Sequence, residues 1–142
     1  MNYVAIIAGA LSVMILGAIW FNPKVLGKPW MEGAGLSEEE ANKMDPMALV
    51  GGLIMALIIS WATSRYATHT EEGMSQFVHG LYHGVMPALL FIAPVLISKG
   101  LFEKKSITWI LIGAAYWVLA ITLMGGIVYA LTPLPEAAAA AG

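Results

Sequence analysis

Three residues of this chain have the types and spacing to do chemistry. Gln76, His79 and His83 fall at i, i+3 and i+7, which puts them on one face of a helix. They stand in a stretch, Gly73–Ser98, that contains no Asp, Glu, Lys or Arg. If a helix enters an apolar layer near Gly73, His79 lies about 9 Å deep and His83 about 15 Å deep. Ionisable groups at such depth are costly and face a helix interface or a cavity. The plainest reading is polar glue, with neutral imidazoles hydrogen-bonding across helices to Ser60, Thr63, Tyr116 or Thr122. A second is a divalent metal shared by His79 and His83, with His69, Glu71 or Glu72 of the preceding loop as added ligands. The depth of His83 argues against a site that uses all of these. A third is haem, which would need a second protomer, since two imidazoles on one helical face cannot take opposite axial positions. Proton or small-solute transfer is a fourth, disfavoured because no acidic residue lies in the apolar stretches around it. No cofactor is therefore predicted, a divalent metal or haem on His79 and His83 being the alternative.

The elements that must position these residues follow from charge. The seven Lys/Arg and nine Asp/Glu residues leave four uncharged runs: Met1–Pro23, Pro46–Ser64, Gly73–Ser98 and Ser106–Pro135. A helix needs about 20 residues to cross a hydrocarbon layer of roughly 30 Å, and in such a layer only internally bonded backbone is stable. The chain is predicted to be an all-α integral membrane protein, a bundle of four transmembrane helices forming one domain over 1–142. The spans fall at about 3–21, 46–64, 74–98 and 106–131, with a polar loop at 24–45 and a weakly ordered tail at 133–142. The first run has no basic residue before it and exceeds a signal-peptide core, so it reads as a retained helix. A hydrophobic fraction of 59% with 11% charged residues agrees with this assignment.

Small residues recur at helical spacing: Ala5, Gly9 and Ser12; Gly52, Ala56, Ser60 and Ser64; Gly80, Gly84 and Ala88. Such stripes let helix backbones approach closely. The third helix, with the last of these, is expected at the centre of the bundle. Pro87 and Pro94 withhold amide donors from the carbonyls of His83 and Leu90, so an interruption with a kink is expected there. In the first loop, Ser37 and Glu40 fit a capping box, which predicts a short amphipathic surface helix over about 38–44, with Trp30 and Met31 resting beside it.

Lys24, Lys28, Lys43, Lys99, Lys104 and Lys105 fall in the loops after the first and third helices, against Arg65 alone on the other side. Basic residues favour the cytoplasmic side, so loops 24–45 and 99–105 are expected inside and both termini outside. With no cysteine, disulfides, thiolate chemistry and palmitoylation are excluded. The net charge of −2 implies no nucleic-acid partner. No phosphate loop, Ser-His-Asp order or paired intramembrane carboxylate supports catalysis, so the chain does not read as an enzyme.

Gly17-Ala18-Ile19-Trp20-Phe21, Gly27-Lys28-Pro29-Trp30-Met31, Leu36-Ser37-Glu38-Glu39-Glu40 and Met124-Gly125-Gly126 occur in this order along most of the chain. In these the chain resembles the uncharacterised bacterial membrane proteins of domain-of-unknown-function family 1761. The resemblance implies four spans and a polar first loop, and carries no catalytic residue. The paired histidines of the third helix do not belong to the family pattern. The expected role is a small non-enzymatic protein of the bacterial cytoplasmic membrane, in contact with lipid, self-associating or an accessory subunit of a larger complex. The alternative is ligand or metal binding, or small-solute transport, on the Gln76, His79 and His83 face.

Overall fold

The structure, a computed structural model, describes residues 2–37, 39–40, 45–67, 69 and 73–133. Among these, all regular structure is helical. The α-helices are α1 (Tyr3–Trp20), α2 (Lys28–Ala34), α3 (Pro46–Tyr66), α4 (Gln76–Pro87), α5 (Ala93–Phe102) and α6 (Ile107–Leu131). π-Helical turns occupy Pro23–Gly27 and Ala88–Ile92. The second joins α4 to α5 in one continuous rod, Gln76–Phe102, which with α1, α3 and α6 makes four helices long and apolar enough to cross a membrane.

Each long helix starts at a side-chain cap. Asn2, Asp45, Ser75 and Ser106 accept hydrogen bonds from the amides of Ala5, Met47, Val78 and Trp109. These satisfy first-turn donors that have no partner within the helix. Between α4 and α5 the interruption at Pro87 and Pro94 takes the form of a π turn. There the ladder shifts to wider bonds, and the Ala93 amide reaches back to the Ala88 carbonyl.

The central helix is α6, not the third span as expected. It packs against α1, α2, α3, α4 and α5, and buries Ala114, Tyr116, Ala120, Ile121, Met124, Gly125 and Tyr129. The reason lies in how the small residues are used. α4 presents Gly80 and Gly84 to α6 alone, while Leu89, Leu90, Phe91 and Val95 farther along the rod are exposed. α6 has small or slim positions on opposite sides. A Cβ on Gly84 would lie 2.5 Å from the Ile121 carbonyl oxygen and 2.8 Å from Thr122 Cα. One on Gly80 would run into the Gly125 carbonyl. On the other side, a Cβ on Gly9 of α1 would come within 2.7 Å of Val128 Cγ2. Ala56, Ser60 and Ala88 are fully buried, and Ser60 Oγ donates 2.8 Å to the Ile6 carbonyl across the α1–α3 contact. Gly52 departs from the expected stripe: nothing lies within 4 Å of where its Cβ would stand.

The first loop is more structured than its charge suggests. Pro29 in the first turn and Gly35 with φ 72° after the last bound α2. α2 docks on the start of α6, where Ser106 Oγ donates 3.0 Å to the Gly33 carbonyl. Its Trp30 ring sits 5.1 Å from Phe21, edge-on, and 6.2 Å from Trp109, stacked. Trp30 is thus part of an aromatic seam with Phe21 and Trp109. The capping pair is present, with the Ser37 amide donating 2.9 Å to Glu40 Oε2 and the Glu40 amide 3.3 Å to Ser37 Oγ. Most of the surface helix expected over 38–44 lies outside the described residues.

Two contacts fix which helix ends share one end of the molecule. Asn2 Nδ2 donates to the Leu131 carbonyl, and Tyr129 Oη donates 2.7 Å to the Tyr66 carbonyl. The start of α1, the end of α3 and the end of α6 therefore lie together, and the approach of Gly80 to Gly125 and Tyr129 adds the start of α4. Lys24, Lys28, Lys99, Lys104 and Lys105 stand at the opposite end.

Candidate metal centre

The helix face singled out by sequence begins at the Ser75 cap, so His79 is one turn in and His83 two. Gly80 and Gly84 allow α4 to press against Gly125 and Ile121–Thr122 of α6 at backbone contact. A larger side chain at either position would hold α4 away. Because of that approach, both imidazoles meet Tyr129. The Tyr129 ring stacks on His83 at 5.1 Å with an interplanar angle of 14°, and lies 5.6 Å from His79. Tyr129 is itself fixed by its hydroxyl bond to the Tyr66 carbonyl, at the point where α3 gives way to the segment carrying His69.

His79 and His83 face each other through Nε2 atoms 2.8 Å apart. At that distance one nitrogen carries the hydrogen and the other offers its lone pair. His79 is 3% exposed, while His83 is half-buried. His69 then comes down on the pair. Its ring centroid lies 5.1 Å from that of His79 and 5.6 Å from that of His83, edge-on to both. One nitrogen from each of the three rings falls within 4.8 Å of the others. These are all the histidines of the chain.

This arrangement differs from the reading that set His69 too shallow to reach His83. Gln76, on the same face one turn earlier, lines neither of the two cavities that His83 borders. Glu71 and Glu72 lie outside the described residues. The hydroxyls expected to bond the imidazoles point elsewhere. Ser60, Thr63, Tyr116 and Thr122 donate to the carbonyls of Ile6, Ile59, Val13 and Val118. Tyr129 was not anticipated, although its place one turn after Gly125 puts it on the contact face of α6.

Two nitrogens bound to one ion at about 2.05 Å stand about 2.9 Å apart for a right angle and about 3.3 Å for a tetrahedral angle. The 2.8 Å separation of His79 and His83 is thus already close to that of two adjacent ligands. Loss of the shared hydrogen would leave two lone pairs converging on one point. His69 needs to close by about 1.5 Å to complete a three-nitrogen set. The three rings also border a cavity of about 580 Å³, shared with Met74 and Met86.

Neither curated proteins nor solved structures give a match to this chain. A family model does match, over residues 4–129, from the first helix to the tyrosine that backs the histidines: the chain belongs to the DUF1761 family, whose description is a protein of unknown function.

Proposed function

We propose that this is a multi-pass membrane protein whose three histidines hold one divalent transition-metal ion. The observation that carries the reading is the arrival of His69 beside His79 and His83. A hydrogen-bonded pair needs only two imidazoles. A third, brought from a different segment, adds little to helix association but makes a recognised ligand set for zinc, copper, nickel or iron. Three protein nitrogens leave a coordination position open, as in sites where the ion takes water or a ligand. Met74 and Met86 on the wall of the same cavity favour testing copper beside zinc, since thioether sulfur suits the softer ion.

The four long apolar helices support placement in a bilayer. The lysine distribution supports the cytoplasmic membrane of a bacterium, with both termini outside and residues 24–45 and 99–105 in the cytoplasm. The ion would then sit within about two helical turns of the outer surface. Elemental analysis of protein purified in mild detergent, after incubation with zinc or copper and removal of excess, tests the reading. About one ion per chain is expected, lost in His79→Ala and His83→Ala. Metal content no higher than in the double variant would sink it. A reporter fused after Thr132 and read as cytosolic would overturn the orientation.

Self-association, or docking as a subunit of a larger complex, is the second reading. It is favoured by Gly51, Gly52 and Gly113, each with open space where a side chain would start. Crosslinking in mild detergent tests it, and a strictly monomeric protein without co-purifying partners counts against it.

A further inference from the structure

A second cavity, of about 470 Å³, lies between α3, α4 and α6, and His83 forms part of its wall as well. The two cavities therefore share one imidazole. Thr63, Tyr66 and Tyr129 also border it, and the rest of the lining is apolar, including Ile58, Ile59, Ala62, Ile92 and Ile121. No Asp, Glu, Lys or Arg borders it. The cavity exists because α3 packs along α1 and α6 and scarcely touches α4. In a bilayer, a gap between two membrane-crossing helices opens toward the acyl chains.

We propose that this cleft takes a lipid quinone or quinol, with its oxygen-bearing ring at His83 and its apolar tail leaving between α3 and α4. Three features select that class. The approach is through lipid, so the ligand must be membrane-dissolved. The lining offers no charge to offset an ionic head, so the head is neutral. The polar end is aromatic, with the His83 and Tyr129 rings stacked on each other within 14° of parallel, and a planar ring can extend such a stack where a branched head does not. His83 already shares a hydrogen with His79, so a quinone oxygen would compete with His79 for a donated hydrogen, and a quinol hydroxyl would compete for the accepting lone pair. The volume falls within the range of pockets that enclose small ligands, roughly 300–1,000 Å³. The site rests on the metal reading only through His83, which belongs to both.

Titration of the full-length protein in nanodiscs with a short-tailed ubiquinone analogue, read by quenching of intrinsic fluorescence, tests the assignment. Saturable binding is expected, weakened at least tenfold by Ala62→Phe, which fills the cleft, and by a smaller factor by Ala62→Leu. His83→Ala should weaken it too. Zinc content measured on the same samples separates the two sites: both Ala62 variants should keep the metal level of the parent protein, whatever that level is. Non-saturable quenching by the parent protein would overturn the proposal, as would equal affinity in both Ala62 variants. Equal competition by an alkane of the same tail length would overturn recognition of the ring.

Discussion

His69→Ala separates a metal centre from a structural hydrogen bond. In a purely structural reading, stability comes from the buried His79–His83 pair, and His69 is an exposed residue on the connecting segment. Its removal should then change stability by no more than about 0.5 kcal/mol and nothing else. In the metal reading it supplies one of three nitrogens. Loss of even an outer-sphere partner of a metal ligand weakens binding about 10- to 100-fold, so loss of a ligand should cost at least about 100-fold, or about 2.7 kcal/mol. The consequence for unfolding follows from mass action. With zinc at 100 times the parent dissociation constant, the folded state gains about 2.7 kcal/mol. At the same zinc concentration the variant, bound 100-fold more weakly, gains only about 0.4 kcal/mol. The assay is thermal unfolding in detergent with and without zinc. The metal-free midpoints of parent and variant should coincide, and most of the zinc-dependent rise should vanish. A variant that keeps the full rise refutes His69 as a ligand. A metal-free midpoint that drops sharply refutes the division of roles.

Other substitutions test the frame around the centre. Gly84→Ala forces a methyl to 2.5 Å from the Ile121 carbonyl oxygen, and overpacking of this kind costs about 1–3 kcal/mol, read as a lower unfolding midpoint. Gly52→Ala meets nothing within 4 Å and should be neutral or stabilising by up to about 1 kcal/mol in the same assay. Tyr129→Phe removes the hydroxyl that ties α6 to the Tyr66 carbonyl. It should cost about 1 kcal/mol and lower zinc affinity, because the exit of α3 toward His69 loses its anchor. The Ser37 hydroxyl and then its backbone amide hold the Glu40 carboxyl below the ordinary carboxylate range. A lowered folded-state value means the capping pair contributes above the unfolded value and is lost as pH falls through the folded one. The protection factor of the residue-40 amide should fall over that acidic interval, and in Glu40→Gln it should show no such pH dependence.

The four long apolar helices were legible because charge placement is a coarse, additive signal. No Lys, Arg, Asp or Glu interrupts the apolar runs. The His79–His83 pair was legible from spacing alone. His69 was not, for a geometric reason. Entry at Gly73 sets the histidines deep, but the helix begins at Gln76, so His79 is only about 6 Å beyond its Ser75 cap. His69 lies within reach of that depth, and no periodicity in 67–75 encodes its position. The pairing of α4 with α6 escaped notice because glycine stripes say that a helix packs closely and not against which neighbour. Helix α2 was signalled by Pro29 and Gly35, yet the surrounding charges made the segment read as a polar loop.

The Asn2–Leu131 bond has a practical corollary for anyone preparing the protein. Any affinity handle fused ahead of Asn2 emerges from the same rim as the imidazole trio. A run of six added histidines there would form an unintended chelator at high local concentration, able to draw an ion away from the three histidines proposed to hold it or to mimic their stoichiometry. Handles belong instead on the lysine-rich rim, or must be cleaved before the ion is counted.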